Sequence, residues 1–176
     1  MAQPSSRPRL TSRTRVLLKW IILVSCMAIA VTADLLTKHW AEQNLKLGEV
    51  DKILPFFYLQ RSANNGIAFG LFGGHTYAIV AVNIIAFLLI LAFVVWWRSW
   101  VLAGISGGLI MGGFLGNLVQ RVSGQKMVTD FLKFPHWPNF NLADLFLVLG
   151  ICLIVLGLGL EVFQLSRPEK TRGDGG

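Results

Sequence analysis

Residues 101–121 read VLAGISGGLIMGGFLGNLVQR. From 101 to 119 the run carries no charge, and it is long enough to cross a bilayer core, which takes about 20 helical residues. Gly104, Gly108, Gly112 and Gly116 fall at every fourth position, and Gly107 and Gly113 widen the row they make. On a helix that row is a face without side chains, where a neighbouring backbone can lie close. Close helix packing accounts for it, and no chemistry is assigned to it. The run then ends in Asn117, Gln120 and Arg121, polar groups at one end of a membrane helix.

Three more apolar stretches, at 16–33, 76–97 and 145–163, have spanning length. Composition agrees: of 176 residues 54% are hydrophobic and 14% charged, against about 25% charged in soluble domains. The expected fold is therefore an all-α polytopic membrane protein with four transmembrane helices. Its membrane domain covers 16–163, with tails at 1–15 and 164–176. Arg98 and Ser99 make a tight turn between the middle spans, and Trp97 and Trp100 beside it suit an interfacial belt. Lys19 is expected to snorkel toward the headgroups.

The net charge of +7 is unevenly placed. Arg7, Arg9, Arg13, Arg15 and Lys19 stand near the N-terminus with no acidic residue among them. That is a cytoplasmic anchor and not a nucleic-acid groove. An even number of spans then puts both termini in the cytoplasm, in agreement with Arg167, Lys170 and Arg172 in the tail. Two processing signals are weak. For a cleaved secretory leader ending near VTA, or a lipobox at LVSC (23–26), only three apolar residues separate Lys19 from Leu23, and the chain stays apolar to Ala33 instead of turning polar after Cys26. Cys26 and Cys152 lie in apolar runs and read as inert packing thiols. His39, His75 and His136 lack metal-ligand spacing, so no metal and no cofactor is expected.

With this topology the polar residues collect on the outer side. Asp34 and Lys38 lie four apart at the end of the first span, and Asn64 precedes the second. Asn117, Gln120 and Arg121 close the third. Asp130 follows in a loop, and Asn141 and Asp144 open the fourth. Each has an ordinary reading: a helix-end ion pair for Asp34 and Lys38, an N-cap for Asn141, a dipole-facing acid for Asp144, an interfacial anchor for Arg121. Asn83, within the second span, reads as a bond to a neighbouring helix. Together on one rim they point to a cavity, where intramembrane polar groups gather. Asp130 and Asp144 bracket a Pro/aromatic loop. If that loop folds back, the two carboxylates share one proton. One then accepts a proton from water while the other polarises an amide carbonyl and protonates the leaving nitrogen.

These residues resemble the lipoprotein signal peptidase (signal peptidase II) family over roughly 34–150. DLLTK at 34–38 resembles its Asp-x-x-Ser/Thr-Lys, and NNGIAFG from Asn64 its Asn-x-Gly-x-Ala-Phe. GNLVQR from Gly116 resembles Gly-Asn-x-x-Asp-Arg, VTDF the Asp-Phe block, and FNLAD the Phe-Asn-x-Ala-Asp block. The resemblance implies an aspartic endopeptidase of the bacterial plasma membrane with Asp130 and Asp144 catalytic. Asn64, Asn117, Arg121 and Asn141 would line the site, supported by Asp34 and Lys38. The implied substrate is a diacylglyceryl-modified prolipoprotein, cut just before its lipidated cysteine by a monomer resting among membrane lipids. The implied architecture adds a small extracytoplasmic β-cradle, placed here at 50–72 with Gly66, Gly70, Gly73 and Gly74, and a short surface helix. The aromatic loop 134–140 would rest on lipid. One position departs: Gln120 stands where the pattern has aspartate, so a nearby anion is lost, though an amide still serves Arg121 or a loop N–H. The competing readings are a small polytopic transporter or proton-coupled carrier using Asp34, Asp130 and Asp144, and a catalytically silent lipoprotein-binding homologue.

Overall fold

The computed structural model describes residues 10–66, 75–123 and 126–166. The later part of the expected cradle, with Gly70, Gly73 and Gly74, lies outside them, as do Arg7, Arg9, Arg167, Lys170 and Arg172. Four helices form: α1 (Ser12–Asn44), α2 (Thr76–Trp96), α3 (Trp100–Val122) and α4 (Leu142–Leu165). All four are long and apolar enough to span a membrane. Three strands, β1 (Val50–Leu54), β2 (Phe57–Asn64) and β3 (Val128–Lys133), form one antiparallel sheet in that order.

α3 is the hub. Of its most apolar window 61% is buried, against 17%, 11% and 11% for α1, α2 and α4. The glycine row is the reason. Gly104 lies against Ile22 and the Lys19 carbonyl, Gly108 against the Leu23 carbonyl and Cys26, Gly112 against Ala30, and Gly116 against Asp34. Each four-residue step on α3 meets about one turn of α1. A Cβ at Gly108 would sit 2.6 Å from the Leu23 oxygen, so a side chain there would force the helices apart. The widening glycines serve the other neighbours: Gly113 meets the Ala143 carbonyl and Leu147 of α4, and Gly107 meets Val94 of α2.

Two sequence expectations change at the end where α2 meets α3. Lys19 does not snorkel. It is buried, and its Nζ donates to the carbonyls of Val94 and Trp97 at 2.8 and 2.9 Å. Those carbonyls end α2 and lack intrahelical donors, so the lysine satisfies them from a different helix. Trp97 is likewise buried, not interfacial: it packs with Leu23, Val94, Ala103 and Met111, and its Nε1 donates to Glu161 at 2.9 Å. Trp96, by contrast, is exposed.

At the other end α1 runs past the expected boundary. Nothing breaks the helix between Ala33 and Asn44, and 33 residues make about 50 Å of helix, well beyond a hydrocarbon core of about 30 Å. Its projecting end seats the sheet. Ala41, Leu45 and Phe131 form a small core there, flanked by Leu59 and Leu132. Arg61 of β2 donates to the carbonyls of Glu42 and Leu45. Asp130 is therefore on a strand and not in a loop: VTDFLK pairs with β2, placing Ser62 opposite Asp130 and Asn64 opposite Val128. The loop 134–140 closes as a turn, with Pro135 at its second position and His136 at φ 60° at its third, bonded from Trp137 N to Phe134 O. Phe134 stacks on Phe140. No surface helix is present among the described residues.

Candidate active site

The sheet end of the bundle contains a cavity of about 1140 Å³. Asn64, Asn117, Arg121, Asp130, Asn141 and Asp144 line its polar part, and Phe114, Leu145, Leu147 and Val148 its apolar wall. Residues from β2, α3, β3 and α4 thus converge on one space, and α1 supports them from behind.

Asn141 is the centre of the arrangement. Its side-chain oxygen accepts from Asp144 N, and the Asp144 carboxylate accepts from Asn141 N at 3.1 Å, which is a reciprocal capping box. The other end of the same side chain donates to Asp130 Oδ1 at 2.6 Å and to Asn117 Oδ1 at 3.1 Å. The ordinary reading of Asn141 as an N-cap thus holds, and the cap also joins the two carboxylates. Asp144 Oδ1 accepts from Asn117 Nδ2 at 2.9 Å, and Asp130 Oδ2 accepts from Asn64 Nδ2 at 2.9 Å. Asn64 reaches Asp130 as a diagonal neighbour across the β2–β3 pair. Its own oxygen accepts from Gly66 N, closing an Asx turn.

Behind the dyad lies a buried ion pair, Lys38 Nζ to Asp34 Oδ2 at 2.6 Å. A buried pair survives only when its remaining valences are filled, and here they are. Lys38 also donates to Asn117 Oδ1 at 2.7 Å, and Asp34 Oδ1 accepts from Ala143 N at 2.9 Å. The Asp34 carboxylate therefore caps α4 at its positive end. The pair seen in the sequence is real, and it aims Asn117 and anchors the helix that carries Asp144.

Arg121 is buried and not an interfacial anchor. Its guanidinium donates to Gly66 O at 2.7 Å and Asn117 O at 3.3 Å, while its Nε has no acceptor among the described residues. Gln120 points away from the cavity. Its Oε1 accepts from Thr129 N at 2.9 Å and its Nε2 donates to Glu42 Oε1 at 2.8 Å. The amide serves a strand N–H. Asn83 lines the cavity but donates to Ile79 O in its own helix, not to a neighbour. Among the described residues, no group of three or more His, Cys, Asp or Glu is placed to hold a metal ion.

Electrostatics separate Asp130 from ordinary surface acids. Burial, and after it the Asp144 carboxylate, push the Asp130 carboxyl from 3.8 up to about 7, against the opposing pull of the Asn64 and Asn141 amides and Lys38. Near neutrality Asp130 is therefore poised between its two protonation states. Three contributors were not picked out as site residues in the sequence: Glu42, Thr129 and Arg61. Glu42 had a signal, since Asp34, Lys38 and Glu42 continue one i, i+4 row and no glycine or proline intervenes before Gly48.

The described residues form a four-helix membrane bundle with a carboxylate-lined cavity at one end. Two solved structures, both described as bacterial membrane enzymes studied by the in meso method, share the fold. One aligns with a TM-score of 0.74 at 24% identity, over 93% of this chain and 98% of that one. The other gives 0.67 at 25% identity, over 85% and 95%. Residues 26–160 match the model of the signal peptidase (SPase) II family, and the chain belongs to that family. A lipoprotein signal peptidase of Serratia proteamaculans is 35% identical over 170 residues, 89% of this chain and 95% of the relative. One from Halothermothrix orenii is 34% identical over 131 residues, 74% of this chain and 90% of the relative. The family makes the chain a protease, and the carrier reading is not favoured.

Proposed function

We propose that the chain is an aspartic endopeptidase that removes the signal peptide from diacylglyceryl-modified prolipoproteins, cutting just before the lipidated cysteine. The observation that carries the aspartic assignment is the Asn141 bridge: two carboxylates on different elements are tied to one residue at the mouth of one cavity, Asp130 to its side-chain amide and Asp144 to its backbone N–H, and Asp130 has a pKa near 7. Asp144 takes a proton from a water whose oxygen attacks the scissile carbonyl carbon. Asp130, protonated, polarises the carbonyl oxygen. In the collapse the C–N bond breaks, the leaving nitrogen takes a proton from the dyad, and the new carboxyl and amine depart. No covalent intermediate is required. The spare Arg121 Nε–H suits a substrate backbone carbonyl, and the apolar wall at Leu145, Leu147 and Val148 suits an apolar signal segment.

The site faces the extracytoplasmic side of the bacterial plasma membrane, both termini are cytoplasmic, and the protein acts as a monomer. The basic N-terminal cluster supports this orientation. Purified protein incubated with a lipidated prolipoprotein tests the reading. Release of the signal peptide, with a diacylglyceryl-cysteine at the new N-terminus, is the expected result. Binding without cleavage would favour the silent homologue. A reporter fused at Gly176 that is active only outside would overturn the orientation.

A further inference from the structure

We propose that Glu42 is a positioning residue for Asp130, acting through Thr129 and Gln120; the role rests on the proteolytic reading above. Successive strand side chains point to opposite faces. On β3, Val128 and Asp130 line the cavity, while Thr129 does not. It is turned back toward α1 and α3. There its hydroxyl donates to Glu42 Oε1 at 2.6 Å, and its backbone N–H donates to Gln120 Oε1 at 2.9 Å. Gln120 Nε2 closes the triangle on the same Glu42 oxygen at 2.8 Å.

One carboxylate oxygen thus collects a donor from α3 and a donor from β3, and charge-assisted bonds of this kind are about twice as strong as neutral ones. The fastening holds Thr129 on both its hydroxyl and its amide, so it sets the height and twist of the strand at the neighbouring residue. What it controls is the direction in which Asp130 leaves β3 toward Asn141 and Asp144. Nothing in this role needs Glu42 to touch substrate. Glu42 also supplies negative charge beside position 120, where this chain has an amide.

The test compares wild type with Glu42→Leu, Thr129→Val, the double variant Glu42→Leu/Thr129→Val, and Glu42→Gln/Gln120→Glu, which exchanges carboxylate and amide across the contact. The substrate is a synthetic lipopeptide bearing diacylglyceryl-cysteine. A misplaced catalytic group lowers turnover more than binding, so kcat is expected to fall about 10-fold to 100-fold in each single variant with KM little changed. The double variant is expected to lose no more than the worse single one. The exchange variant should recover most of the activity, which restored bulk alone would not achieve. Amide hydrogen exchange along β3 reads the same anchor without turnover, and should quicken in Glu42→Leu while the helices keep their protection. If the wild type does not cleave, the proteolytic reading fails while the exchange data still judge the anchor. Unchanged kcat and unchanged β3 exchange in Glu42→Leu, or additive losses in the double variant, would overturn the role of Glu42.

Discussion

Asn141 sets its side-chain amide 2.6 Å from Asp130 Oδ1, so the residue that opens α4 also grips a carboxylate on β3. Removing that grip should have two separable effects. Asn141→Ala loses an N-cap, a change that costs about 1 kcal/mol of stability. It also frees Asp130, which should lower turnover about 100-fold. Thermal unfolding in detergent and turnover of a lipidated substrate measure the two. A loss of turnover no larger than the loss of folded protein would reduce Asn141 to a cap.

Asp130→Asn and Asp144→Asn should each reduce cleavage by about 1000-fold or more while the protein stays folded and inserted. Asparagine keeps the shape of aspartate but neither accepts the proton of water nor supplies one as an acid. Because the pair acts as a unit, the double variant should be scarcely worse than either single one. Near-normal turnover in either single variant would exclude a dyad mechanism.

The pH dependence follows from the Asp130 carboxyl at about 7. Below that value it holds its proton and can act as an acid; above it the acid is lost. The alkaline limb of kcat/KM should therefore fall through about pH 7. Stability carries the same signature. The folded chain binds this proton more tightly than the unfolded one, so the contribution is full below the usual 3.8 and is lost as pH rises through about 7. Asp130→Asn should flatten that slope in unfolding scans between pH 5 and pH 8. An unaltered slope would place the pH dependence elsewhere.

Lys19→Met should destabilise the bundle by about 1–3 kcal/mol, because it strands two buried carbonyls at the end of α2. The specific activity of the folded fraction should stay close to wild type, since the site is at the opposite end. The midpoint of thermal unfolding and activity per folded molecule check the two halves of this expectation.

The sequence revealed most where one residue type has few uses. Glycines every fourth position predicted the close face of α3, and carboxylates and amides beside apolar runs marked the rim. It revealed less where a long side chain has several possible partners. Lys19 looked like a snorkelling residue because the α2 carbonyls it caps are far away in the chain. Trp97 looked interfacial because its Glu161 partner is on α4. Asp130 was assigned to a loop because a six-residue strand, VTDFLK, shows its nature only when β2 is beside it. The extent of α1 is hidden for a different reason: hydropathy falls after Ala33 although the helix does not stop, and the sequence reading, which carries the helix end as far as Lys38, leaves the turn that holds Glu42 outside it.

The order in which the elements enter the chain has a consequence for biosynthesis. Asp34 and Lys38 emerge first, Asn64 and Asn117 follow, and Asp144 arrives only with α4, the last described helix. Asp34 meets the Ala143 amide, and Asn141 meets Asp130, only after that helix is in place. A chain still being inserted therefore has one carboxylate of the pair and no cap to hold it. On the dyad proposed above, a product that lacks α4 has no peptide-cutting capacity, and the blade is assembled only by the last described helix.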